Sequence, residues 1–267
     1  MNRTLIVEPG EPARLAHRHT GDDLGLESKE AVASLVERLI GDLRGLQDRL
    51  WAEARRSVLL VLQGVDTSGK DGTISHVFTG VNPQACKVAS FKVPTPTELA
   101  QDYLWRVHAA CPARGEIGIF NRSHYEDLVV VRVKNLVPKD VWQRRFRHVR
   151  EFERVLTEEG TAIVKVFLHI SKDEQRKRLQ ERLDDPAKTW KFRLGDLDDR
   201  KLWDDFTAAY EEAISETSTE WAPWYVVPAD RKWVRNAAVA HLLVKTLKEM
   251  DPQLPPPAEG LAGVVVT

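Results

Sequence analysis

The sequence has little of what staples small secreted folds or builds metal clusters. It holds 267 residues but only two cysteines, Cys86 and Cys111. Two cysteines cannot form a disulfide framework and no Cys-x2-Cys pair exists, so a reducing compartment is implied, taken here as the cytoplasm. None of the eight histidines stands in His-x3-His spacing, which removes the usual catalytic zinc helix. Ser68 and Ser123 have no histidine and aspartate partners in a triad pattern, which argues against a serine hydrolase. Charge of one sign is also missing: the net charge is −1, so binding to nucleic acid polymers is not expected. No apolar run approaches the ~20 residues that span a membrane. The opening MNRTLIVEPGEPARL has no apolar signal core before its prolines, so export is not expected. There is no internal repeat and no low-complexity block.

What is present centres on Ser57 to Gly72, SVLLVLQGVDTSGKDG. An apolar run, Val58 to Leu62, ends in a glycine-punctuated loop, and a helix is expected from near Thr73. The spacing Gly64-x4-Gly69-Lys70 is that of a phosphate-binding P-loop, whose glycines let successive N–H groups face one anion. The expected phosphate-binding set is Gly64, Val65, Thr67, Ser68, Gly69, Lys70, Asp71, Gly72 and Thr73, with Lys92 added from the end of the next strand. The helix N-terminus contributes partial positive charge and Lys70 a full one. Where a hydroxyl residue usually follows the lysine, this chain has Asp71, and Asp66 lies inside the loop. Two carboxylates in an anion loop make sense if a divalent cation sits between loop and phosphates.

Along the chain, residues 1 to 25 carry prolines, glycines and Asp22-Asp23 and read as an irregular arm. From Ser28 to Arg56, Ala31, Leu35, Leu39, Leu43, Leu46 and Leu50 mark a long amphipathic helix with Ser28 as its cap. Strands are expected at Val58–Leu62, Lys87–Val93, Glu116–Phe120, Ala162–Ile170 and Trp224–Val227. Helices are expected at Thr73–Gly80, after Pro96 with Leu99, Tyr103 and Val107 inside, around Trp142 to Leu156, and from Arg231 to Met250. Short apolar strands without alternation, separated by helices, imply an α/β fold: a parallel five-stranded sheet covered on both faces. Residues 26 to 250 read as one domain, with 251 to 267 as a proline-rich tail.

Ligands of such sheets sit at the carboxyl ends of the strands. That makes the segment after Phe120, Asn121-Arg122-Ser123-His124-Tyr125-Glu126-Asp127, a second site element. Arg122 offers a planar fork of donors for phosphoryl oxygens. The plainer alternative is a helix start in which Arg122 pairs with Glu126 on the surface. Gln175 to Leu197 carries Arg178 and Arg182 four residues apart, then Asp184-Asp185-Pro186, Lys188, Trp190 and Lys191. This pattern suggests a helical lid, about residues 175 to 200, that closes over a polyanion.

The segments GVDTSGKDGT (64–73), VNPQ (81–84), FKVPTPTE (91–98), FNRSHYEDLVVVRV (120–133), DDPAKTWKF (184–192) and EWAPWYVVPADRKWVRN (220–236) together resemble the polyphosphate kinase 2 family. The resemblance implies a P-loop kinase fold, Mg2+ (with Mn2+ as an alternative), and a homodimer or homotetramer. It also implies phosphoryl transfer between inorganic polyphosphate and AMP, ADP or ATP. Asn121 and Glu126 stand where some members read Asp and Asn, which resembles the subgroup acting on both AMP and ADP. Asn121 and Ser75 depart from the acid and the basic residue common at those positions.

On this reading Asp66, Lys70, Arg122 and Asp127 are catalytic, and Asp66, Asp71 and Asp127 hold the metal. Asn121, Arg122 and Glu126 face the nucleotide acceptor, and the lid cations exclude water. Two other readings share the motifs: an ATP-dependent nucleotide or small-molecule kinase, and a non-catalytic nucleotide-binding regulator.

Overall fold

The computed structural model describes residues 2 to 260 and residue 264. Helix α1 (Asn2–Leu5) leads into strand β1 (Ile6–Val7), and an irregular stretch then runs to α2 (Lys29–Glu53). The Ser28 hydroxyl caps α2 by accepting from the Ala31 N–H at 3.1 Å. Strand β2 (Ser57–Gln63) and α3 (Lys70–Val77) flank the glycine loop, followed by β3 (Cys86–Ser90), α4 (Pro96–Leu99) and α5 (Trp105–Ala109). Then come β4 (Ile117–Asn121), α6 (Glu126–Val133), α7 (Lys139–Glu158) and β5 (Thr161–His169). The last elements are α8 (Lys172–Asp184), α9 (Leu194–Lys201), α10 (Trp203–Thr217), β6 (Trp224–Pro228) and α11 (Lys232–Met250).

The sheet order is β1-β6-β5-β2-β4-β3. The five expected strands are all present and parallel, and the N-terminal arm adds a sixth, β1, antiparallel to β6. Strand β2 lies between β5 and β4, and all seven of its residues are buried. This is why its sequence is apolar without alternation. One face is covered by an aromatic-rich core that includes Phe120, Tyr125, Phe146, Phe152, Tyr210 and Trp224. The other is aliphatic, built from β2, β5 and the Ala-Leu-Val face of α11.

Several local expectations are corrected. The buried stripe of α2 runs through Val32, Val36, Leu39, Ile40, Leu43, Gln47 and Leu50, while Ala31 is exposed. Its partner α11 presents Ala237 to Val32, Val36 and Ile40, and this small residue admits the β-branched side chains. The helix after the P-loop starts at Lys70 rather than Thr73, and β3 stops at Ser90. The helix expected after Pro96 is two short ones. Thr95 caps the first through a capping box with Glu98, and Leu99 is exposed while Val107 is buried. Helix α6 realises the helix start weighed as the plainer alternative after Phe120, but it begins at Glu126 with Tyr125 at its N-cap position, and it forms despite the β-branched Val-Val-Val run. Of the C-terminal tail, residues 251 to 260 carry no regular helix or strand. Residues 261 to 263 and 265 to 267 lie outside the described residues.

A buried ion pair joins α7 to β5 behind the P-loop. Lys165 Nζ donates to Glu153 Oε2 (2.6 Å), Tyr125 Oη (3.0 Å) and the Thr217 carbonyl (2.7 Å). Burial pushes the Glu153 carboxyl up, but Lys165 and His124 outweigh it and hold the group below its ordinary value. Lys165→Met takes the ammonium from this buried carboxylate, leaving it only Tyr125 and His124, and should cost about 3–5 kcal/mol in urea unfolding; the double replacement with Glu153→Leu should recover most of that loss.

Candidate active site

The glycine loop is shaped by contacts that exclude side chains. At Gly64, φ is +150°, and a Cβ would lie 2.8 Å from the Leu168 carbonyl. At Gly69, φ is +103°, and a Cβ would overlap the Arg235 guanidinium. The loop then turns directly into α3, whose first residue is Lys70. Its ammonium folds back over the loop and donates to the carbonyls of Gly64 (2.7 Å) and Val65 (3.3 Å). Lys70 is only 8% exposed. Burial lowers its pKa and Arg122 adds to this, while Asp66, Glu126 and Asp71 oppose it.

Strand β4 delivers the second element next to the first, because Leu62 and Asn121 are register partners. Arg122 sits in the left-handed region at φ +63°. Its N–H donates to the Leu62 carbonyl at 3.1 Å. The guanidinium donates to Asp66 Oδ1 at 2.8 Å and lies 3.9 Å from Glu126 Oε2. The pairing with Glu126 weighed as the plain alternative therefore exists, but the shorter contact runs across the loop to Asp66. Asn121 Nδ2 donates to Asp71 Oδ1 at 2.5 Å, which ties the end of β4 to the first turn of α3. Burial raises the Glu126 pKa, with Arg122 and Lys70 opposing.

A cleft of about 660 Å³ opens above these groups. Asp66, Thr67, Gly69, Lys70, Asp71, Gly72, Lys92, Asn121 and Arg122 form one wall; Arg182, Lys188, Trp190, Lys191 and Arg193 form the other. Ten Lys or Arg residues line it against four carboxylates. Trp190 is 77% exposed, with Lys191 Nζ 5.1 Å from its ring centroid. Arg182 donates to the Lys191 carbonyl (3.3 Å) and Lys188 pairs with Asp185 (2.7 Å). Gly64, Val65 and Glu126 lie beside this cleft in a smaller recess that shares Asp66 and Arg122. Ser68 and Thr73 are buried within the loop and α3.

Of the expected members, Asp127 stands elsewhere and Arg178 lines only the floor of the cleft. Asp127 is not on the cleft wall: its carboxylate is 3.4 Å from Arg106 and 3.5 Å from Arg145, joining α5 to α7. Arg178, expected as a lid cation, is 6% exposed and packed beneath the P-loop. Among the described residues, no three His, Cys, Asp or Glu side chains converge as a metal-binding group. Asp66 and Asp71 are hard oxygen donors on the cleft wall, and they suit Mg2+ that takes its remaining ligands from phosphate and water.

The sequence reading missed Arg193, Asp196, Lys232 and Arg235, all on the cleft. Arg235 is 3% exposed on α11, with its pKa pushed down to about 10, mainly by burial and then by Arg178. Nothing local distinguishes it from a solvated helix cation.

A parallel sheet with a glycine loop, an invading lysine and an arginine at the adjacent strand end defines a P-loop phosphotransferase. Comparison with known proteins narrows the class. The family model for polyphosphate kinase 2 matches residues 26 to 255. The chain is 61% identical over 237 residues to an AMP/ADP-polyphosphate phosphotransferase of Meiothermus ruber, covering 89% of this chain and 87% of that protein. It is 45% identical over 261 residues to an ADP-polyphosphate phosphotransferase of Rhodopseudomonas palustris, covering 93% and 90%. The crystal structure of polyphosphate kinase 2 from Arthrobacter aurescens TC1 superposes with a TM-score of 0.93 at 41% identity, covering 97% of this chain and 92% of that one. The chain belongs to the polyphosphate kinase 2 family.

The raised Glu126 pKa has a measurable consequence. An acid whose folded pKa exceeds its unfolded one favours the fold below the unfolded value and loses that contribution as pH rises through the folded value. Glu126→Gln should therefore raise the thermal midpoint at pH 8, and the advantage should vanish below pH ~4, where both states are protonated.

Proposed function

We propose that this protein transfers the terminal phosphoryl group of inorganic polyphosphate to AMP and ADP, giving ADP and ATP. The observation that carries the reading is the convergence of Lys70, Asp66 and Arg122 on one wall of a cleft rich in lysine and arginine. The names of its relatives in M. ruber and R. palustris support the same donor and acceptors.

Phosphoryl transfer asks for alignment and charge neutralisation rather than a covalent nucleophile. An oxygen of the acceptor phosphate attacks the terminal phosphorus in line. The bond from that phosphorus to its bridging oxygen breaks, and the chain leaves one unit shorter with the electron pair on its new terminal oxygen. The acceptor is already ionised at neutral pH, so no strong general base is needed. Lys70 and the loop N–H groups bind the donor phosphates. Arg122, held at a fixed angle by Asp66, grips the transferring or accepting phosphoryl oxygens. Lys92, Arg182, Lys188 and Lys191 neutralise the chain, and Trp190 covers it from solvent. Asn121, beside Arg122, faces the acceptor. Asp66 and Asp71 would hold Mg2+, which when bound would supply charge neutralisation of the phosphate oxygens. Asp127 serves this site indirectly, by fixing α6 through Arg106 and Arg145.

Residues 26 to 250 act as one unit in this proposal. A homodimer or homotetramer working in the cytoplasm belongs to the same reading. Among the described residues no helix is long and apolar enough to cross a membrane.

The test supplies ADP, Mg2+ and long-chain polyphosphate with no ATP, then repeats the assay with AMP. ATP formation that requires polyphosphate is expected in the first and ADP followed by ATP in the second, whereas an ATP-dependent nucleotide kinase makes ATP from ADP only by disproportionation, to the same extent with or without polyphosphate, and a non-catalytic nucleotide-binding protein forms neither. Lys70→Ala and Asp66→Ala should each lower kcat by about 10³-fold or more with an unchanged circular dichroism spectrum. In pH profiles, kcat/KM should fall on an alkaline limb below the ordinary lysine value of 10.5, because burial lowers the Lys70 pKa and the deprotonated amine no longer binds phosphate.

A further inference from the structure

Arginine carries five N–H donors in a rigid fork. In Arg178, all five point at acceptors of this chain. Nε donates to Glu174 Oε1 at 2.8 Å. Nη1 donates to the carbonyls of Thr67 (2.9 Å) and Ser68 (3.1 Å), both in the P-loop. Nη2 donates to the carbonyls of Ala229 (2.6 Å) and Asp230 (3.0 Å), in the turn between β6 and α11. No N–H is left to meet a phosphate oxygen, although the side chain lies at the floor of the cleft.

The contacts to the loop carry directional consequences. In a planar trans peptide, the carbonyl of one residue and the N–H of the next point in opposite directions. Drawing the Ser68 carbonyl toward Arg178 therefore turns the Gly69 N–H away from it. Arg235 Nη1 reaches the same carbonyl at 3.5 Å, and the missing side chain at Gly69 is what admits it. Carbonyl oxygens gathered on a buried cation cannot turn their negative ends toward a bound anion. The second pair of contacts fixes the P-loop against the turn that precedes Lys232 and Arg235, setting the spacing between two cationic parts of the cleft.

We propose that Arg178 is a positioning residue: it aims the Ser68–Gly69 peptide of the P-loop and pins that loop to the 229–230 turn, and it does not itself touch polyphosphate. The proposal rests on the polyphosphate reading above.

The test pairs Arg178→Lys with Lys188→Met. Lysine keeps the charge but lacks the fork needed to hold four carbonyls. Turnover is followed in the ATP-free assay, and affinity for long-chain polyphosphate is measured at several KCl concentrations. Arg178→Lys should lose about 10²-fold in kcat, as expected when a binding loop is displaced by about 1 Å. Its slope of log affinity against log salt should match that of the wild type. Lys188→Met, which removes a chain contact, should make the slope shallower by about 0.7, the value for one phosphate of a flexible single strand.

A kcat for Arg178→Lys within about twofold of wild type overturns the proposal, and so does a slope that falls as it does in Lys188→Met. Should Arg178→Lys fail to unfold cooperatively, Glu174→Gln, which weakens one contact of the guanidinium, should lower kcat by about 2- to 10-fold with an unchanged slope. An unaltered kcat there overturns the proposal as well. An inactive wild type would overturn the polyphosphate reading instead, and the slopes would still decide the role of Arg178.

Discussion

The structure depends on holding like charges close together at one edge of a sheet. Lys70, Arg122, Arg178 and Arg235 all border the same loop. At 4 Å, two unit charges at an effective dielectric of 20 repel by about 4 kcal/mol. The chain offsets this with groups that leave the cations in place: Asp66 for Arg122, Glu174 for Arg178, and backbone carbonyls for Lys70 and Arg178. A polyanion entering the cleft meets a field already assembled. Such preorganisation is the main resource of phosphoryl transfer, which has little covalent chemistry to catalyse.

The sheet makes that crowding possible. Parallel register places the ends of β2 and β4 side by side, so Asp66 and Arg122 meet although 56 residues separate them in the chain. Behind the site, Arg122 is followed directly by residues that run into the core. Tyr125 donates to Glu153, which also meets Lys165 and His124. The left-handed backbone at Arg122 is held between the Leu62 carbonyl on one side and this buried network on the other. A strained conformation persists only where its surroundings over-determine it, and here they do so at the residue whose guanidinium lines the cleft beside Asp66.

The local motifs were legible because each is written in adjacent residues. Gly64, Gly69 and Lys70 announce the loop, the apolar run before them announces a central strand, and Asn121 to Asp127 announce a strand end. What misled were residues whose meaning depends on a distant partner. Asp127 looked like a metal ligand from its neighbours, yet Arg106 and Arg145 claim it from two other helices. Arg178 looked like a lid cation that closes over a polyanion, yet four carbonyls from two loops surround it. The β-branched run in α6 stays helical because burial against α7 and α10 outweighs its weak intrinsic preference.

Sequence alone determined the class of fold, the P-loop and the anionic nature of the ligand, since periodicity, glycine spacing and charge type are properties of consecutive residues. Tertiary structure alone decided which cations face the cleft and which are used up in holding it. Arg178 and Arg182 differ by one helical turn and not at all in chemistry. A hydrogen bond is satisfied or free according to what the rest of the chain brings within about 3 Å, and no local pattern encodes that distance.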